Sequence, residues 1–433
     1  MKSPRLAWNL TTLVDSYDHA GYSNPVWDAP AKAALTEFAR RRANVCETNE
    51  PSASIISTNA AGAVELGCND PMVNYLFINF ALDKTNSKET FTAAFCKMAK
   101  EMQNSSYPNI RKFAAAFRTG EQFIRANNYP TNVPPEIKEI GHDMDEDLKA
   151  SLDDNSIPSE EIYDACDEFL EMWKTSPKKY QMYYHAIEPQ LFKNWPDAST
   201  SWLLKGEGNI DIAWQGRGGG YADTVTEEGW KQFKDHLAIA DEALGHAWQL
   251  NPKDPRIAVM MIWVELGQGQ GRDRMEMWFQ RAMELDPNDY DACSVKCLYL
   301  EPKWHGSIEE MLTFGRSCVA NKQWGGRVPL VLVDAHWDIP RYYLTGSEKT
   351  NYWKQPQVWP DIESAYERFF EANTDVASYY HNYALYAYKC EQWDKLNELI
   401  SKLGPVNYDF FGGKTEFDKM VRLAKEHAGK PSG

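Results

Sequence analysis

The sequence predicts an all-α fold: antiparallel helix pairs stacked into a right-handed α-solenoid, with an irregular helical N-terminal half. Three observations carry this expectation. Apolar residues recur three or four positions apart in most of the segments that can be read, the spacing of one helix face. Two segments, "ALGHAWQLNPKDPRIA" from Ala243 and "WFQRAMELDPNDYDA" from Trp278, match each other, with Pro252 and Pro287 35 residues apart. No run of alternating β-branched residues flanks the densest glycine cluster, Gly216–Gly220, where a phosphate-binding loop would require a strand.

In chain order, "PAKAALTEFARRRA", "DPMVNYLFINFAL", "ETFTAAFCKMAKEM" and "NIRKFAAAFRTGEQFIRA" each show helical spacing. Asp70–Pro71 is a helix start, because proline loses nothing at a first-turn position. Residues 129–160 change character and are rich in proline and acid, which reads as a linker or a loosely packed connection. Ser159 is then expected to cap the helix of "SEEIYDACDEFLEMWKTS".

In the matched segments, each proline closes a helix, and the acid two positions on suits the start of the next. Val259, Ile262, Trp263 and Leu266 form one helical stripe, "GQGQGRD" breaks it, and Met275, Trp278, Phe279, Ala282 and Met283 form a second. Residues 290–320 fit two helices interrupted at Pro302–Gly306, and 381–404 fit a further pair. This pattern resembles the tetratricopeptide repeat, a helix–turn–helix unit of about 34 residues. Phe279, Ala282 and Pro287 have the spacing of its second-helix Phe, Ala and closing Pro, while Trp263 stands where the motif has a small residue. The resemblance covers about 235–320 and 361–404.

A wider likeness rests on "WLLKGEGNIDIAWQGRGGGYADTVTEEGW", "LNPKDP", "LEPKWHGSIEEMLTFGR" and "ELGCNDPMVNYLF". These are similar to blocks of an uncharacterised, planctomycete-type bacterial family of tetratricopeptide-like proteins with a domain of unknown function. His305 departs from the Gly common in that family's second block. The likeness implies a fold and no activity. The expected division is an N-terminal helical region at 1–128, the linker at 129–160, a tetratricopeptide-like core at 161–330 and a C-terminal helical repeat region at 331–433.

The glycine stretch "AWQGRGGGYADTV", 213–225, is followed by Tyr221–Ala222 and not by the Lys-Ser/Thr of a phosphate loop. It reads as a joint: one helix ends at Arg217 on a left-handed glycine cap, and Thr224 or Thr226 caps the next near Glu227. Arg217 beside Trp214 either pins this loop or recognises a carboxylate or peptide end. The candidate binding residues are Trp214, Arg217, Tyr221, Trp304 and His305, with Trp304 alternatively filling the gap between helix pairs.

"HDMDEDLKASLDD" has Asp143, Asp145 and Asp147 at calcium-loop spacing but lacks the glycine and the closing glutamate. The nine histidines form no metal-binding pair; His236 and His246 would lie about 15 Å apart along a helix. "SPKK" at 176–179 sits in a proline-broken loop without the partner motifs of a Ser-x-x-Lys site. No catalytic residue, metal site or cofactor is expected.

Composition narrows the function. Asp and Glu number 62 against 46 Lys and Arg, a net charge of −16 that repels phosphate backbones and argues against nucleic acid. No apolar stretch of about 18 residues is present, so no membrane insertion is expected, and the start lacks the features of a signal peptide. Eight scattered cysteines without a CxxC motif suit buried thiols in a reducing, cytoplasmic setting. The expected function is a non-enzymatic scaffold that binds a protein or peptide segment on the concave face of the stack. The alternatives are a helical enzyme acting on a glycan or peptide, distinguished by buried carboxylates clustered in a cleft, and an acidic inhibitor or immunity protein.

Overall fold

The chain is all-α: helix makes up 77% of it, and no strand occurs among the described residues. The computed structural model describes residues 3–19, 21–45, 52–82, 87–128, 132–374, 376–427 and 429. Two units divide the chain, Met1–Val225 and Thr226–Gly433. In both, helices pack mainly on their chain neighbours, the arrangement of a helical solenoid.

In the first unit, Asp28–Arg42, Ser52–Glu65, Pro71–Phe80, Lys88–Gln103, Asn109–Ala126 and Pro135–Leu152 each pack on the next. Leu35, Ile56, Val73, Leu76 and Met98 are fully buried between them. Asp70 starts its helix as expected: its carboxylate accepts the Met72 and Val73 N–H groups at 2.9 Å and the Tyr107 hydroxyl. Ser159–Trp173, Pro177–Asn194 and Ser199–Arg217 follow. Gly208 is required where the last two meet, because a Cβ there would stand 2.0 Å from the Tyr184 ring.

Three expectations need correction here. Residues 132–160 are not a linker. They hold the helix Pro135–Leu152, with Ile137, Ile140, Met144, Leu148 and Leu152 buried on one face. Proline starts this helix at a first-turn position rather than breaking it, and the acid-rich composition hid an apolar stripe; positions 129–131 lie outside the described residues. Ser159 is the first residue of its helix, with Pro158 at the cap. Pro177 likewise begins a helix, so "SPKK" is a helix start and not a broken loop.

A buried charge cluster pins the N-terminal helix Pro4–Leu10 to Ser159–Trp173. Glu161, fully buried, meets Arg5 at 2.7 Å, Arg42 at 2.7 Å and Arg111 at 3.5 Å, and accepts the Asn9 amide at 2.9 Å. Burial alone would raise the Glu161 pKa, but the three guanidinium groups outweigh it and hold it down at about 2.

The second unit begins with Glu227–Leu250 and continues as pairs: Pro255–Gln268 with Arg272–Leu285, Tyr290–Tyr299 with Ile308–Ala320, Val331–Asp338 with Val358–Ala372, and Tyr379–Lys389 with Trp393–Lys402. The acids after the two matched prolines are helix caps: Asp254 accepts from Arg256 N–H and Asp289 from Ala292 N–H. Phe279 and Ala282 are buried, with the Phe279 ring against Phe314 and Trp324.

Candidate functional site

In the second unit, first helix packs on first helix: Pro255–Gln268 against Tyr290–Tyr299, and that against Val331–Asp338. Between them lies a cavity of 230 Å³. Its wall follows helical spacing. Ser294 and Cys297 with Leu298 come from Tyr290–Tyr299 and Glu301 from the turn after it, Val331, Asp334 with Ala335, and Asp338 from Val331–Asp338, and Trp263 from Pro255–Gln268. Three carboxylates thus share one opening with an indole.

Each carboxylate has a different surrounding. Glu301 is 2% exposed, and its Oε2 takes the Tyr343 hydroxyl and the Lys303 ammonium, the latter at 2.7 Å. Asp334 accepts the Tyr290 hydroxyl at 2.6 Å, and burial raises its pKa. Among the described residues, the Asp338 carboxylate makes no hydrogen bond or ion pair; burial, then the charges of Glu301 and Asp334, push its pKa up to about 6. Cys297, in the same wall, is a buried free thiol whose pKa burial raises well above its ordinary value. Among the described residues, no three of His, Cys, Asp and Glu approach closely enough to hold a metal ion.

The turn after Glu301 is tightly built. Gly306 lies so near Leu300 that a Cβ would stand 2.4 Å from its carbonyl oxygen. His305 Nε2 meets the Leu266 carbonyl at 2.9 Å, and its ring lies 4.4 Å from that of Tyr299. His305 therefore ties the turn to the first helix of the preceding pair, and Trp304 beside it is half-buried.

The other predicted residues belong to the first unit. Ser199–Arg217 ends on Gly218 with φ of +74°, and Thr226 caps Glu227–Leu250 by accepting the Gly229 N–H at 3.0 Å. Arg217 lies 5.8 Å over the Trp214 ring and donates to the Gly218 and Gly220 carbonyls, both at 3.0 Å. Tyr221 is 67% exposed. These contacts are those of a pinned loop.

Glu301, Asp334 and Asp338 escaped the sequence reading, which looked for contiguous motifs. The available signal was a four-residue step: Asp334 and Asp338 recur inside the apolar run "VPLVLVDAHWD", where charge on a short buried helix is expensive.

No model of a known protein family matches the chain, and no curated protein is similar to it. No helix among the described residues is long and apolar enough to cross a membrane.

Proposed function

We propose that the chain is a non-enzymatic helical-repeat module that docks a protein or peptide segment on the face formed by the first helices of its second unit. One observation carries this: the carboxylate- and indole-lined cavity opens across three consecutive first helices, the face on which helical repeats commonly receive extended segments. The net charge of −16 makes nucleic acid a poor partner. The tetratricopeptide-like ancestry and the wider bacterial family belong to the same proposal, supported by the caps and buried motif residues of the 255–320 pairs. Selection of short linear peptides from a displayed library tests it. The expected result is enrichment on the native chain that Trp263→Ala abolishes without lowering Tm. No enrichment, or enrichment indifferent to Trp263→Ala, overturns it.

A second reading follows from Asp338. A carboxyl pushed up to about 6 beside other carboxylates is the pairing used for general acid and base work. Hydrolysis of a peptide or glycan that disappears in Asp338→Asn at unchanged Tm would favour this enzyme.

A further inference from the structure

We infer that the first unit binds one small monovalent anion, of chloride size, in a cavity among its buried arginines.

Arg111 supplies an unmet donor. Its side chain is 4% exposed. Nη1 reaches Glu161 at 3.5 Å, a long contact, and Nη2 donates to Asn9 at 2.5 Å and to Thr12 at 3.2 Å. Nε is buried and has no hydrogen-bond partner. A buried donor left unmet is costly, and more so on a charged group. Arg111 lines a cavity of 30 Å³, together with Arg42, Arg118 and Tyr75. That space admits a guest the size of one or two waters, and a five-atom oxyanion is too large for it. Met72 and Phe113, also in the wall, are buried and shield the guest from bulk solvent.

Charge selects the guest. Arg5, Arg42 and Arg111 share two carboxylates, Glu161 and Asp164, so three positive charges meet two negative ones. Arg118 pairs with Glu121 at 2.9 Å and Glu168 at 2.7 Å, and Glu121 is shared with Arg125. Glu168 is the one carboxylate in the cavity wall, against three arginines. Burial lowers the Arg111 pKa to about 10; Glu161 opposes this, and Arg42 and Arg5 add to it. A monovalent anion accepts the Nε hydrogen and also balances the excess charge in surroundings of low dielectric. A water accepts the hydrogen and leaves the charge unbalanced.

Calorimetry of the full chain at fixed ionic strength, with gluconate replaced stepwise by chloride, tests this. Chloride should raise Tm by about 2 °C or more, with the logarithmic dependence of a bound ligand, and bromide should act alike. Ala165 is 5% exposed in the cavity wall. Ala165→Val fills the space and should abolish the chloride response while the helical dichroism stays native. Arg111→Lys keeps the charge without Nε and should weaken chloride affinity about tenfold. A crystal of the native chain grown in bromide reads the site without any variant: a bromine anomalous peak is expected within hydrogen-bond distance of Arg111 Nε. Equal Tm in chloride and gluconate, a chloride response that Ala165→Val leaves intact, or a water in the cavity without bromine signal overturns the inference.

Discussion

Two buried glutamates show how neighbours decide what burial does. Glu161 is held at about 2 by three arginines, so its stabilising effect is complete above its ordinary value near 4.5 and is lost as pH falls through 2. Glu161→Gln leaves Arg111, itself 4% exposed, without its counter-charge, and should cost about 3–5 kcal/mol in denaturant unfolding. Glu265 is the reverse case. It is fully buried, with Arg274 at 3.0 Å and Asp241 nearby, and burial chiefly pushes its pKa up to about 7. Between 4.5 and 7 the folded chain keeps a proton that the unfolded chain has released, so stability falls as pH rises through that window. The native chain should lose on the order of 3 kcal/mol there relative to Glu265→Gln. Parallel pH slopes in the two proteins would refute the assignment. Phe279→Ala, which empties a site walled by Phe314 and Trp324, should cost about 3–5 kcal/mol; an unchanged Tm would mean the ring is not packed as described.

At the scale of elements, the glycine stretch is a helix end, a short turn and a helix start, and Arg217 is spent on backbone carbonyls within it. ATP, GTP or NAD should therefore leave Tm unchanged, since a ligand at a hundredfold excess over Kd would add about 2.7 kcal/mol. A large shift abolished by Arg217→Ala would make this loop a ligand site. Caps and repeats were legible because they are local: a proline, an acid and a glycine at fixed offsets dictate a helix boundary without reference to the rest of the chain. Pro135–Leu152 was obscured for the same reason. Proline and acid at its start look alike in a loop and in a first helical turn, and only the buried face distinguishes them.

For the whole molecule, the division at Val225–Thr226 makes a physical prediction. Limited chymotrypsin should cut first after the exposed Tyr221 and release fragments of about the two units, because exposed turns admit a protease and packed helices do not. A first cut within Pro135–Leu152 would restore the linker and overturn the division.

The sequence by itself determined that the chain is helical, where the repeated pairs at 255–320 begin and end, and that Phe279 and Ala282 face inward, because spacing and capping act over a turn or two. Only the tertiary structure decided that Glu301 shares a cavity with Asp334 and Asp338, and that Glu161 gathers Arg5, Arg42 and Arg111. Those groups meet through packing of segments distant in the chain, which no local pattern specifies.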